Sequence, residues 1–140
     1  GVTSYIDADF HYPEQIIADA NNVLDFGEPT AVLVLGVLGY AEADPHDILS
    51  KLLDPLPSGS YLALWDGTDD SQAYTSMRER YLGSGAVPYF PRPREVIEKF
   101  FDGFEMVEPG FVSLPSWHPG QVDIGEVRDI SAYGALARKP

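Results

Sequence analysis

The apolar residues of this chain form two patterns: short continuous runs, and runs in which they recur every three or four positions. Continuous runs that are rich in β-branched residues are typical of strands buried on both faces of a parallel sheet. Residues 30–38, TAVLVLGVL, are the clearest such run, and residues 60–65, SYLALW, form a second. The pattern also predicts strands at residues 3–8 and 132–138. Residues 104–108 and 111–114 are predicted to form two strands, or one strand with a bend at Pro109-Gly110.

Helical runs lie between these strands, and two of them begin with the signals of a first helical turn. Pro13 and Pro45 are each followed closely by an acidic residue. Proline loses no hydrogen bond at this position, and an acid there faces the positive end of the helix dipole. Asp44 is the predicted N-cap of the second helix. Two more helices are predicted, one after Ser71 and one after Pro93.

The order of these elements predicts the class of the fold. Strands and helices alternate along most of the chain, which is typical of an α/β domain with a largely parallel sheet. No helix separates the last two predicted strands, so we expect them to form an antiparallel pair at one edge. Residues 1–140 are expected to belong to one domain, because the chain contains no repeat and no low-complexity segment.

Composition narrows the classes of function. The chain has 140 residues, no cysteine, 9 basic and 22 acidic residues, and a net charge of −13. The lack of cysteine excludes disulfide scaffolds and cysteine-ligated metals, and the acidic excess argues against binding to nucleic acid or anionic lipid. The chain begins without a basic or apolar leader pattern, and no apolar run is long enough to span a bilayer. We therefore expect a cytoplasmic protein.

The search for catalytic motifs assigns neither a metal site nor a catalytic residue. The three histidines, His11, His46 and His118, match no metal-ligand spacing. The sequence has no G-x-S-x-G elbow, no G-x-G-x-x-G and no Walker loop. Any chemistry is therefore expected to depend on residues that carry no short signature.

Residues at the ends of predicted strands are the better candidates, because open α/β sheets bind ligands at the carboxyl ends of their strands. Asp7 and Asp9 follow the first predicted strand. On position alone, ligand contact and a solvated strand end that caps the next helix are equally supported. Gly36 and Gly39 follow the most apolar strand, where glycine either lets a ligand approach the backbone or forms a tight turn.

Five segments together resemble a known family. In chain order they read YIDADF with PE shortly after it, AVLVLGVLGY, LPSGSYL, FFDGFEMVEPG and YGALARKP. Their order and spacing resemble the C-terminal half of a class I SAM-dependent methyltransferase, and more narrowly the S-adenosyl methyltransferase family that is abundant in actinobacteria. The resemblance implies a Rossmann-like sheet of order 3-2-1-4-5-7-6 with strand 7 antiparallel. This chain would supply strands 3 to 7 only, and strands 1 and 2 would be missing from it. Residues 3–8 resemble strand 3, 31–38 strand 4, 61–65 strand 5, 104–114 strand 6 and 132–138 strand 7.

The resemblance also implies a cofactor, S-adenosyl-L-methionine, and residues that would contact it. Asp9 matches the acid that faces the adenine amino group, and Phe10 matches the neighbouring position that packs on the adenine. Gly36 and Val37 match the backbone segment beside the methionine part, with Leu38 as the adjacent apolar position. The acceptor would be a small molecule, and transfer would depend mainly on proximity and orientation rather than on a fixed catalytic residue.

Aromatic residues are the candidates for the acceptor side. Tyr12, Tyr40 and Trp65 are predicted to line it, with ordinary aromatic packing as the alternative interpretation. The family often has histidine where this chain has Gly39. That departure removes a possible proton acceptor near the substrate.

The implied absence of strands 1 and 2 has a physical consequence. Those strands, the glycine-rich loop and the ribose-binding acid lie N-terminal to the matched segments in the family. Without them, strand 3 has no neighbour and the apolar strand 4 becomes an edge, which is an aggregation template. We therefore expect the chain alone to be inactive, and to need the missing N-terminal half or another copy of the chain as a partner.

Two other functions remain open at this point. One is a non-catalytic, methyltransferase-like fragment that acts in protein association through its exposed edge. The other is an α/β domain that binds a different nucleotide-like ligand at the same strand ends.

Overall fold

The computed structural model describes residues 3–118, 120 and 128–140, with the backbone alone at residues 73–75, 77 and 78. The helices are α1 (Pro13–Ala20), α2 (Pro45–Leu53), α3 (Gln72–Leu82) and α4 (Arg94–Glu98), and short 3₁₀ turns cover Leu38–Tyr40, Lys99–Phe101 and Leu114–Ser116. The strands are β1 (Ala31–Leu35), β2 (Tyr61–Gly67), β3 (Glu105–Met106), β4 (Val112–Ser113) and β5 (Ala132–Arg138). None of the helices in these described stretches is long and apolar enough to cross a membrane.

The sheet is mixed, and its described strands follow the order β1-β2-β5-β3. β1 and β2 are parallel, whereas β5 is antiparallel to β2 and to β3. Of the two alternatives for residues 104–114, the structure has two strands: β3 and β4 lie on either side of Pro109-Gly110, and both pair with β5. An α/β fold is therefore confirmed, and this order agrees with the 4-5-7-6 part of the sheet that the family resemblance implies.

The predicted strand at residues 3–8 is wrong. Residues 3–9 have no helical or strand structure, and the chain enters a turn in which the Tyr12 amide donates to the Asp9 carbonyl at 2.9 Å. A strand exists only where a neighbour completes its hydrogen bonds, and no described strand lies beside this segment. Of the five strands that the family resemblance assigned to this chain, the described sheet contains the counterparts of strands 4 to 7 and lacks strand 3.

One face of the sheet is covered by helices and forms the core. α2 begins at the predicted cap, where the Asp44 carboxylate accepts a hydrogen bond from the His46 amide at 3.0 Å. α1 packs beside α2, and Lys51 forms an ion pair with Glu14 at 2.8 Å. The buried cluster joins strand residues to the helices and turns: Val34, Leu38, Leu49, Leu53, Leu56, Leu62, Leu64, Ile97, Phe100, Phe101, Ala135 and Ala137.

The opposite face of the sheet, called here the bare face, has no α-helix over it in the described part of the chain. At one side Leu114 and Trp117 line a groove on this face together with Leu35 and Trp65. The members of the bare face are the alternate side chains of the three long strands: Ala31, Leu33, Leu35, Ala63, Trp65 and Leu136. Leu33 is 63% exposed, whereas its neighbour Val34 is 6% exposed. The prediction that residues 30–38 are buried on both faces is therefore wrong for this chain, since successive side chains point to opposite faces.

Candidate functional site

A cavity of about 620 Å³ lies at the carboxyl ends of β1 and β2. Residues 87–92, called here the cross-segment, run over these ends. The Phe90 amide donates to the Gly39 carbonyl at 2.7 Å, and the Arg92 amide donates to the Gly67 carbonyl at 3.2 Å. The cross-segment thus forms one wall of the strand-end cavity, and residues 40–44 form the other. The lining residues are Tyr40, Ala41, Glu42, Ala43, Asp44, Val87, Pro88, Phe90 and Arg92.

A buried carboxyl group lies behind this cavity. Asp66 is 1% exposed, and its Oδ1 accepts hydrogen bonds from the Gly67 amide at 3.0 Å and from the Tyr89 hydroxyl. The Tyr89 hydroxyl in turn accepts from the Gly67 amide at 2.8 Å. Burial raises the pKa of Asp66, and these hydrogen bonds and the nearby Arg92 offset only part of that rise.

Arg92 connects the cavity to this buried group. Its Nη1 donates to the Leu38 carbonyl at 2.8 Å and lies 3.6 Å from Oδ2 of Asp66. The Oδ2 atom accepts no hydrogen bond from any described residue. The guanidinium is held in place by the backbone that follows β1, and it faces the cavity with only 17% of the side chain exposed.

Gly39 is required by the packing of the cross-segment. A Cβ at position 39 would overlap the ring of Tyr89. The same ring meets Tyr40 edge-on, with 4.9 Å between the ring centroids. Tyr89 therefore occupies the room that a larger residue would need at position 39, where the family often has histidine.

Asp9 and Phe10 lie close to a cavity residue, and His11 makes the connection. Oδ1 of Asp9 accepts from the His11 amide at 2.9 Å and from its ring Nδ1 at 2.7 Å, and these bonds lower the pKa of Asp9. His11 Nε2 accepts from the Glu42 amide at 3.2 Å, so Nδ1 carries the ring proton. The ring of Phe10 stacks on His11 with 4.3 Å between centroids.

The remaining predicted site residues are divided between the cavity and other surfaces. Tyr40 lines the cavity, and Val37 begins the turn that carries it. Tyr12 is 66% exposed at the start of α1 and does not line the cavity. Leu38 is 1% exposed within the core, so only its backbone faces the site. Trp65 lies on the bare face.

Trp65 packs against two glycines rather than against the cavity. Gly36 has a φ of +70°, and a Cβ on it would overlap the Trp65 ring. A Cβ on Gly134 would overlap the Leu64 carbonyl oxygen and the Cα and Cβ of Trp65 on the neighbouring strand β2. The structure thus separates Trp65 from Tyr40, although the sequence grouped them together as acceptor-side candidates.

Sequence reasoning missed three residues of the site: Asp66, Tyr89 and Arg92. Asp66 could have been found, because it is the polar residue directly after the apolar run at 60–65 and therefore lies near a strand's carboxyl end. The cross-segment carries Pro88 and Pro91 but no catalytic motif. Its position over the strand ends depends on contacts with residues far away in the chain.

The fold and the cavity place this chain in the class of α/β proteins that bind ligands at the carboxyl ends of their strands. Residues 1–140 match the model of a family described as S-adenosyl methyltransferase. The chain belongs to this family, and the resemblance noted from its sequence is confirmed. Among proteins of curated function, none matches this sequence.

Two solved structures are similar to this chain. A DUF574 family protein from Streptomyces avermitilis is 36% identical with a TM-score of 0.87, over 97% of this chain and 55% of that one. A candidate methyltransferase from Thermobifida fusca is 29% identical with a TM-score of 0.79, over 94% of this chain and 52% of that one. The chain therefore spans about half the length of the structures that it matches.

Proposed function

We propose that this chain forms the acceptor side and part of the cofactor side of a methyltransferase that transfers a methyl group from SAM to a small molecule. The observation that carries the proposal is the strand-end cavity in a chain that belongs to the S-adenosyl methyltransferase family throughout its length. Ligands of open α/β sheets bind in this position. The cavity volume is in the range of small-molecule sites.

The described residues on the adenine side fit SAM. Asp9 has a lowered pKa and is ionised at neutral pH, so it can accept a hydrogen bond from the adenine amino group. Phe10 offers an aromatic surface to the base, and the backbone of Gly36, Val37 and Leu38 would lie beside the methionine part. When bound, SAM supplies a methyl group on a positively charged sulfur.

The role of the chain's own residues is to bind and orient. The cross-segment and Tyr40 form two sides of the acceptor site and would orient the acceptor, and orientation of this kind supplies a large part of the rate enhancement in bimolecular transfers. Of the three aromatic candidates, Tyr40 alone lines the cavity, so we assign the acceptor contact to Tyr40 and leave Tyr12 and Trp65 out of it. No proton-transfer residue is assigned.

We also propose that polypeptide outside this chain covers the bare face and the open edge of β1. The support is the exposure of Leu33 and Leu35, together with solved relatives that are almost twice as long as this chain. The same observation favours a second candidate function, that of a methyltransferase-like fragment acting in protein association. SAM binding separates the two candidates, since association alone does not require it.

The test is SAM affinity, measured by titration calorimetry on the intact protein and on two variants. Asp9→Ala should bind SAM about ten- to a hundredfold more weakly, because it loses a charge-assisted hydrogen bond. Asp7→Ala is the matched control and should bind like the parent. Thermal unfolding of each variant separates lost binding from lost folding, because Asp9 also holds His11. An intact protein that does not bind SAM would overturn the proposal.

The affinities of the two alanine variants also show which aspartate contacts the adenine. If Asp7→Ala weakens SAM binding and Asp9→Ala does not, the adenine contact is assigned to the wrong residue. Asp9→Asn keeps an acceptor oxygen for His11, so its affinity is expected to lie between those of the parent and Asp9→Ala.

A further inference from the structure

Arg92 is the one basic side chain among the lining residues of the strand-end cavity. Both of its described polar contacts, to the Leu38 carbonyl and to Asp66, use the single nitrogen Nη1. A guanidinium carries five N–H donors in a planar fork. The other edge of the fork is therefore able to pair with a carboxylate through two parallel hydrogen bonds.

Arg92 forms an ion pair with Asp66, and the contact between them is a loose one. Asp66 Oδ2 lies 3.6 Å from Nη1, beyond hydrogen-bond distance, and burial favours the protonated form of this carboxyl group by raising its pKa. Asp44 uses its carboxylate to cap α2. Glu42 is exposed on the opposite wall. A mostly buried guanidinium whose one described ion pair lacks a hydrogen bond, and whose described contacts all use Nη1, has donors left for an anionic ligand.

Apart from Arg92, Glu42 and Asp44, the lining residues are apolar or aromatic. Val87, Pro88 and Phe90 stand on the same wall as Arg92, and Tyr40 faces them. A ligand with an apolar or aromatic body and one anionic end would match this distribution. Such a division between apolar walls and a few polar contacts is typical of small-molecule sites.

We infer that Arg92 binds a carboxylate group in the strand-end cavity, and that the methyl acceptor is a carboxylic acid with an apolar or aromatic body. This inference rests on the proposed function and names its substrate class. The amino-acid end of SAM also carries a carboxylate, so the experiment has to distinguish that source from the acceptor.

The test compares benzoate with benzamide, which has the same ring and a neutral amide, by titration calorimetry on the intact protein. The parent should bind benzoate at least about tenfold more tightly than benzamide, since a charge-assisted pair is lost with the amide. Arg92→Gln should reduce this preference to within about twofold, and Arg92→Lys should keep part of it as a point charge. Arg94→Gln removes the same charge two residues away, outside the cavity lining, and should leave the preference unchanged.

A second variant covers the case in which Arg92→Gln does not fold. Val87 is 66% exposed on the cavity wall, so Val87→Asp adds a negative charge there without touching the contacts of Arg92. This variant should weaken the binding of benzoate more than the binding of benzamide. Equal affinity of the two probes in the parent, or an equal loss of preference in Arg92→Gln and Arg94→Gln, would overturn the inference.

Saturating S-adenosylhomocysteine distinguishes the two sources of the carboxylate. If Arg92 binds the acceptor, the preference for benzoate over benzamide is unchanged when S-adenosylhomocysteine is bound. If S-adenosylhomocysteine displaces benzoate competitively, Arg92 holds the amino-acid end of the cofactor and the acceptor assignment is overturned. The comparison of benzoate with benzamide is made without SAM, so its failure is distinct from a failure of the proposed methyl transfer.

Discussion

The two faces of the sheet are built from the same three long strands, yet they differ sharply in burial. On the covered face, Leu62 and Leu64 are 0% and 2% exposed beneath the helices. On the bare face, Leu33 and Leu35 of the neighbouring strand are 63% and 47% exposed. Both faces carry the same kinds of apolar side chain. Composition therefore does not decide which face is buried; the presence of a covering element does.

The comparison indicates what the bare face is suited to. A sheet with one wet face normally alternates apolar and polar residues, whereas β1 is apolar at every position. Large contiguous apolar surfaces on soluble proteins mark sites of interaction. The sequence of β1 thus fits a strand with cover on both sides, and the described chain supplies cover on one side only.

The largest expected effect compares one leucine on each face. Leu62→Ala should destabilise the folded chain by about 2–5 kcal/mol, because it leaves a cavity in the packed core. Leu33→Ala should cost less than about 1 kcal/mol, since its side chain is mostly exposed already. Urea unfolding of the two variants measures both values. Equal losses would mean that the bare face is covered in solution.

A smaller effect is expected on association. Leu33→Lys places a charge on the edge strand, which opposes pairing with another chain. The association constant of the isolated chain with itself should fall by at least about tenfold in this variant. A loss of this size corresponds to one lost apolar contact. Light scattering after size-exclusion chromatography measures this shift. Gln15→Lys adds the same charge at an exposed position of α1 on the helical side and is the surface control. A parent chain that is already monomeric would contradict the prediction.

The smallest expected effect is on the pH dependence of stability, and it concerns Asp66. This residue is the last side chain of β2 on the covered face. Because burial raises the pKa of Asp66, the folded state binds this proton more tightly than the unfolded state. The resulting stabilisation is complete below the ordinary pKa of aspartate, about 3.9, and is lost as the pH rises through the higher pKa of the folded state. Asp66→Asn does not titrate and should lose less stability as the pH rises above about 4.

Urea midpoints at several pH values test this prediction. The parent and Asp66→Asn curves should diverge as the pH rises. Parallel curves would show that the proton on Asp66 contributes nothing to folding.

Local signals in the sequence predicted those elements that depend on local physics. β5 has the predicted bounds, and α2 begins at the predicted cap Asp44 because capping involves only adjacent residues. The strand at residues 3–8 was wrong because strand formation requires a partner from elsewhere. The exposure of Leu33 could not be predicted for a similar reason, since it depends on what packs above the sheet.

The candidate site shows the same limit. Asp9 was identified from its position after a predicted strand and from the family resemblance, and Tyr40 as one of three aromatic candidates. Tyr40 lines the cavity, and Asp9 lies near it through His11. The contact between Asp66 and Tyr89 spans 23 residues, and the one between Arg92 and Leu38 spans 54. No periodicity or spacing in the sequence indicates such pairs, because the path of residues 83–93 brings them together.

The tryptophan fluorescence of this protein should be sensitive to binding in the groove on the bare face. The chain contains two tryptophans, Trp65 and Trp117, and both line this groove. Each indole is partly exposed there, and the buried cluster of the covered face contains none. Indole emission moves to shorter wavelength when water is removed, so the intrinsic fluorescence of this chain reports docking on the bare face. No attached dye is needed to follow that event.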